Sequence, residues 1–261
     1  VAKRTASRPD WWTATNPDVL LNVVWPRPLA YDADTVVLNQ SPALRRRLRL
    51  YGVACARMVW DVLSTDARNA VLLSERYADR PGPVAPDELR AAAVRMRYGP
   101  VTFQHLAANA AGWASAGRFP DTPPQAAVRW NPAAAAREAA KALATRAAGP
   151  APPGRAPGAH EWHAVWSRTY AAAREHQAEL IRDIFPPPGR APGFAPEWRT
   201  STVVVLARQA DESGEFGALP ILADALQDAG CDDELILGRC RTPAGIHCRG
   251  NWVVDLVLER E

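Results

Sequence analysis

Apolar side chains that return every three or four residues, cut at intervals by proline, leave this chain little choice but helix. From Leu44 the set Leu44, Leu48, Tyr51, Cys55, Met58, Val59 and Val62 steps at the period that lines up one face of an α-helix. Ser41-Pro42 just ahead of it is a start signal: a hydroxyl that can accept from an early amide, then a residue whose fixed φ suits the first turn. The longest run of this kind is His160 to Phe185, with Trp162, Val165, Trp166, Thr169, Ala173, Leu180, Ile181 and Ile184 on one stripe. No two-residue alternation lasts beyond a few positions, so strand is expected to be marginal. The expected fold is all-α, a multi-helix bundle or a short irregular α-solenoid.

The same start and stop chemistry marks the remaining elements. Thr15 or Asn16 caps a short helix that opens at Pro17 and is closed by Pro26 and Pro28; Leu29 to Gln40 then reads as a loop, with room for a short strand at Val36-Val37-Leu38. Asp66 caps a helix running through Val71, Leu72 and Tyr77 to the Pro81-Gly82-Pro83 stop. Pro86-Asp87-Glu88 begins another, its acids suited to the positive end of the helix dipole. Alanine-rich helices follow around Phe103 to Ala116 and Pro132 to Ala147. Near the end, Thr200 or Ser201 caps Val203 to Gln209, and Leu219 to Ala229 closes on Gly230. Asp232 caps the next turn, and the apolar segment Asn251 to Leu258 is expected to be a buried helix, although its β-branched content also suits a strand.

Proline and glycine divide the chain. The stretch Gly149 to Gly158 lacks the donors and the stiffness for helix or strand, so it reads as a linker. It separates an N-terminal helical segment, residues 1–148, from a C-terminal helical module, residues 159–261. Pro-Pro-Gly-Arg-Ala-Pro-Gly occurs at Pro152 to Gly158 and again at Pro187 to Gly193. A repeat at that interval would suit a helical solenoid, but the match lies wholly in breaker residues and the flanking helices do not share it.

Composition removes several classes of function. At 261 residues and 48% hydrophobic, the chain can bury a sizeable core, and it lacks the low hydrophobicity and charge imbalance of disorder. No window has the roughly 18 uninterrupted apolar residues that a membrane span needs, and Val1 to Pro9 has no apolar core of a signal peptide. Four cysteines in a chain this long do not make a disulfide scaffold. A reduced cytoplasmic protein is the expectation. Basic residues number 31 against 28 acidic ones, for a net charge of +3, which carries no strong nucleic-acid signal. Lys3 and Lys141 are the only lysines, so arginine usage reflects a compositional bias rather than phosphate recognition. The densest run, Arg45-Arg46-Arg47-Leu48-Arg49, places Arg45, Arg46 and Arg49 off the apolar stripe. A solvated helix face is the expectation there, with a nucleic-acid or anionic-lipid patch as the alternative.

The terminal stretches carry a resemblance. Trp12-Thr13-Ala14-Thr15-Asn16-Pro17, the run Arg47-Leu48-Arg49-Leu50-Tyr51 through Trp60, and Glu75-Arg76-Tyr77-Ala78-Asp79 form its N-terminal part. Leu180 to Phe185, Leu219 to Leu226 and Arg249-Gly250-Asn251-Trp252-Val253-Val254-Asp255 form its more specific C-terminal part. Together these resemble a large family of uncharacterised paralogous helical proteins from planctomycete bacteria. Its members often have an alanine-rich middle, and some of their relatives carry repeat-companion domains. The resemblance implies an all-helical module and brings no activity with it. Family members usually have a His-Cys pair where this chain has Arg239-Cys240, a Cys in place of Asn251, and more cysteine around Val53 to Ala56.

No motif assigns chemistry. The chain has no Gly-x-Ser-x-Gly elbow, no phosphate loop ending in Gly-Lys-Ser/Thr, and no Gly-x-Gly-x-x-Gly opening a helix. No catalytic residue and no cofactor are therefore expected. His160-Glu161-Trp162-His163 lacks the four-residue spacing of a zincin helix, and Asp232-Asp233-Glu234 is ordinary at a helix start. Cys231, Cys240, His247 and Cys248 are chemically adequate for zinc, but their spacing is poor for a structural site. No metal is expected, and Cys231 and Cys240 are placed with Leu226, Leu235 and Trp252 as small hydrophobes. Cys55, on its apolar stripe, is a core residue. Of ten tryptophans, Trp60, Trp162, Trp166 and Trp252 fall on apolar stripes. Trp11, Trp12, Trp25, Trp113 and Trp130 sit near breaks, where aromatic side chains either complete a core or mark an interaction surface. The functional expectation is a non-enzymatic interaction or scaffold module with an unidentified protein partner. A metal-binding protein using the C-terminal Cys/His cluster is the first alternative, and an enzyme whose site assembles only in three dimensions is the second.

Overall fold

A computed structural model describes residues 11–25, 41–79, 104, 107–111, 131–152, 158–189, 193–243 and 246–260. Among these the regular structure is all helix, without strand. The α-helices are α1 (Pro17–Val24), α2 (Pro42–Arg57), α3 (Thr65–Asp79), α4 (Pro132–Ala148), α5 (Ala159–Ile184), α6 (Ser201–Ser213), α7 (Leu219–Asp228), α8 (Glu234–Cys240) and α9 (Trp252–Val257). The all-α expectation holds. The possible strand at Val36 to Leu38, the helix from Pro86, and Trp113 and Trp130 lie outside the described residues.

Local chemistry sets most of the boundaries. Asn16 Oδ1 accepts from the Asp18 amide, Ser41 Oγ from Leu44 and Asn131 Oδ1 from Ala134, each with proline opening the helix behind it. Such a cap satisfies one of the amides that the first turn leaves without a partner. Thr200 caps α6, and Gly230 closes α7 at φ 91°. There the Cys231 amide donates to Leu226 O and the Gly230 amide to Gln227 O, both at 2.9 Å, the paired bonds of a Schellman ending. Two caps differ from expectation. Ser64, not Asp66, serves α3, accepting from Ala67; Asp66 lies in the first turn. Asp233, not Asp232, serves α8, accepting from Leu235 and Ile236. The terminal apolar segment is a helix, α9, capped by Asn251.

Two helical layers meet along α5. In the first, α2 packs against α3, α4 and α5, while α1 also lies on α5. Alanine makes the α4 contacts possible: Ala133, Ala135, Ala136, Ala139, Ala140, Ala142 and Ala144 are all buried. Larger side chains there would force the helices apart at about 1–3 kcal/mol each. Trp162 Nε1 donates to Gly149 O and Trp166 Nε1 to Thr145 Oγ1, so α4 and α5 fold back on each other across the Pro/Gly stretch. The core around Leu20, Leu48, Tyr51, Ala136, Ile181 and Ile184 draws on both sides of that stretch. The second layer packs α6 on α7 and α9, and α7 on α8, around Val203, Leu222, Leu226, Ile236, Trp252 and Val253.

The arginine run is not a solvated face. Nine consecutive residues of α2, Leu48 to Ala56, are buried, because neighbours cover this helix on several sides. Arg49 is buried, donating to Ser74 Oγ and lying over the Tyr77 ring. Burial lowers its pKa to about 10, partly offset by Tyr77. Arg46 is nearly as deep and binds two carboxylates, Asp79 and Asp255.

Candidate functional site

The seam between the layers is held by charge. Asp183, buried on α5 between Ile181 and Ile184, is its hub. Its Oδ1 lies 2.7 Å from His247 Nδ1 and receives the Asn251 amide at 2.6 Å; its Oδ2 accepts from the Cys248 backbone at 2.9 Å. Arg239 Nη1 stands 3.8 Å from Oδ1, and His247 Nε2 faces the Thr242 carbonyl at 3.1 Å. Asn251 works twice, since its Oδ1 also accepts from Val253 and Val254 to start α9. A second chain of pairs runs beside it. Arg46 spans Asp255 and Asp79, Arg249 pairs with Asp79 at 2.8 Å, and Arg260 with Asp211 at 2.5 Å. Buried charges survive folding only when paired and hydrogen-bonded in this way.

The four Cys/His candidates divide between environments. Cys231 and Cys240 pack in the second layer with Leu226 and Trp252, and Leu235 lies against them. Cys248 packs against the first-layer core, where its thiol faces Asp183 Oδ2 at 3.6 Å. Burial pushes the Cys240 thiol up to about 12, and burial together with the Asp183 carboxylate holds Cys248 well above its ordinary value. Burial also pushes Cys55 up to about 12. Such thiols stay protonated, the opposite of what a nucleophile needs. Among the described residues, no three His, Cys, Asp or Glu side chains gather as a metal ion would require.

Among the tryptophans offered as an interaction surface, the structure separates core from surface. Trp11 and Trp25 are 6% and 2% exposed and belong to the first-layer core. This corrects their reading as surface candidates, because α1 and α5 close over the chain on both sides of the break. Trp12 is 55% exposed. It stands at the rim of a groove of about 210 Å³, with Pro187, Leu235 and Trp252 as apolar lining and Arg182, Arg239 and Glu234 as charged lining. Arg182 is fixed there by the Trp11 and Ala14 carbonyls and by Glu179.

A larger cavity, about 410 Å³, opens at the seam itself between α2, α3, α5, the end of α6 and the loop at His247 to Arg249. Arg57, Glu75, Glu212 and Arg249 give it charge of both signs, and Met58, Leu180 and Phe216 give it apolar wall. His176 also lines it, its pKa lowered by burial against a smaller opposing effect of Glu179.

Sequence reasoning missed Asp183, Asp255 and Glu75, and placed Arg46 on a solvated face. The signal available was a charge inside an apolar run: Arg182-Asp183 within Leu180 to Phe185, and Asp255 within Trp252 to Leu258. No family model, curated protein or solved structure matches the chain.

Proposed function

We propose that this chain is a non-enzymatic, cytoplasmic helical interaction module that docks a protein partner over Trp12. The exposed indole of Trp12, beside a groove lined by Pro187, Leu235 and Trp252 together with Arg182 and Arg239, carries the reading. Tryptophan and arginine around a desolvatable pocket are the residues that most often dominate binding energy at protein interfaces. The buried thiols and the fully hydrogen-bonded Asp183 support a structural role for that cluster. No helix among the described residues is long and apolar enough to cross a membrane, which is compatible with the proposed location.

The same reading takes the terminal motifs as those of the planctomycete family. Asp183, Arg249, Asn251 and Asp255, all inside motif stretches, are the residues that tie the layers together. A shared motif of that kind would transmit a fold rather than an activity.

The test is affinity capture from one cell extract with the wild-type chain and with Trp12→Ala. The expected result is a protein retained by the wild type and lost from the variant, whose circular dichroism and melting temperature stay unchanged. Equal retention by both, or none by the wild type, overturns the reading.

A further inference from the structure

The seam cavity shares no residue with the Trp12 groove, and its lining has a chemistry of its own. At about 410 Å³ it falls in the size range of small-molecule sites, about 300–1,000 Å³. We propose that it binds a small zwitterion, a free amino acid or a dipeptide, whose carboxylate meets Arg57 and whose ammonium group meets Glu212.

Two cations line the cavity: Arg249 is engaged by Asp79 and Asp211, while Arg57, with 40% of its side chain exposed, is the more accessible. Among the described residues one of its nitrogens is committed, Nη2 to Glu75 Oε2 at 2.5 Å, while the guanidinium lies over the Trp60 ring. Those two contacts fix the plane of the fork and leave its other N–H groups for a carboxylate, which guanidinium meets with two parallel bonds. Glu75 is only 6% exposed, so the group that orients Arg57 is itself held by burial.

The opposite pole lies at the end of α6. This helix has no basic residue in its last turn and closes at Gly214 with φ 70°. Its end, Asp211 to Gly214, lines the cavity; Asp211 is taken up by Arg260 and Arg249. Glu212, exposed in that turn, adds a full charge. Met58, Leu180 and Phe216 supply apolar wall for a side chain. Cation, anion and apolar wall in one cavity match a ligand with a carboxylate, an ammonium group and an aliphatic side chain.

Isothermal titration calorimetry on the full chain tests this with L-leucine, glycyl-L-leucine, N-acetyl-glycyl-L-leucine and glycyl-L-leucinamide. Leucine, glycyl-leucine or both should bind with Kd of about 1 mM or tighter, and which of them binds tells a free amino acid from a peptide. Blocking either terminus should weaken binding at least about tenfold, a loss of about 1.4 kcal/mol. Arg57→Gln and Glu212→Gln, both at solvent-reaching side chains, should each weaken it similarly, while Trp12→Ala should leave it unchanged. No binding of either zwitterion at about 10 mM, well above that Kd, overturns the proposal. So do blocked peptides that bind as well as the free one, and so do variants that bind as the wild type does.

Discussion

Arg46 grips both oxygens of Asp255, Nη1 on Oδ2 at 2.5 Å and Nη2 on Oδ1 at 3.1 Å, across 209 positions of sequence. The pair bolts the middle of the first layer to the last helix of the second. Burial disfavours the arginine charge, but Asp255 and Asp79 outweigh it, and its pKa stands above the ordinary value. Burial likewise pushes the Asp255 carboxyl up while Arg46 pulls it down. Each charge offsets part of the cost of burying the other.

Breaking this pair from either side should therefore give losses that do not add. Arg46→Met is expected to lose about 3–5 kcal/mol, because it strips the buried Asp255 carboxylate of its bidentate partner; Asp255→Leu should lose less, since Arg46 keeps Asp79. The double variant should lose less than the sum by at least about 1 kcal/mol. Urea unfolding of the four proteins gives the coupling; additive losses would mean that the contact does not hold the layers together.

Asn251 joins two functions that substitution can separate. Asn251→Ala removes the cap of α9, about 1 kcal/mol, and a donor to the buried Asp183 carboxylate, a further 1–3 kcal/mol or so. Asn251→Asp keeps a capping oxygen but sets a second carboxylate against Asp183 Oδ1, which now receives the amide at 2.6 Å. The aspartate variant is expected to unfold at lower urea concentration than the alanine variant. The reverse order would make capping the larger contribution.

What the sequence made legible was what neighbours in sequence decide. Asn16, Ser41, Thr200 and Gly230 act on amides or carbonyls within a few residues, and each was readable from its flanks. Arg46 and Arg49 were misread for a reason of the same kind. One helix's periodicity shows which stripe is apolar, but not that α3, α4 and α5 also cover the remaining sides of α2. Asp183 was invisible as a hub because its partners lie 64 to 68 positions away. Trp11 and Trp12 are adjacent in sequence and opposite in fate; proximity to a chain break carries no information about which indole the core will take.

Gly250, in the loop before α9, packs against Leu50 of α2. Its φ is +89°, and a Cβ there would lie 2.7 Å from Leu50 Cδ1 and 3.3 Å from Leu50 Cβ. Gly250→Ala must bear the left-handed backbone, about 1–2 kcal/mol, and a clash with a fully packed leucine, about 1–3 kcal/mol. Gly238 on α8 has open space around its Cα, so Gly238→Ala should instead stabilise by about 0.5–1 kcal/mol through helix propensity. Thermal melts of the two variants should move in opposite directions. A Gly250→Ala protein as stable as the wild type would rule out the close approach to Leu50.

Alkaline pH should destabilise this fold through its buried thiols. Cys55 and Cys240 have folded pKa values of about 12 against an ordinary 9.0, burial being the first cause at both. For a group raised on folding, the stabilising contribution is complete below the unfolded pKa and is lost as pH climbs toward the folded one, because only the unfolded chain releases the proton. The window here runs from about pH 9 to pH 12. At pH 10 each thiol should already withdraw about 1.4 kcal/mol, near 3 kcal/mol for the two together. Urea midpoints measured from pH 7 to pH 10.5 should fall with a slope that Cys55→Ala and Cys240→Ala each reduce, whatever those substitutions cost at neutral pH. A wild-type midpoint that stays level to pH 10.5, or a slope that both variants leave intact, would show that these thiols ionise as readily in the folded protein as in the unfolded chain.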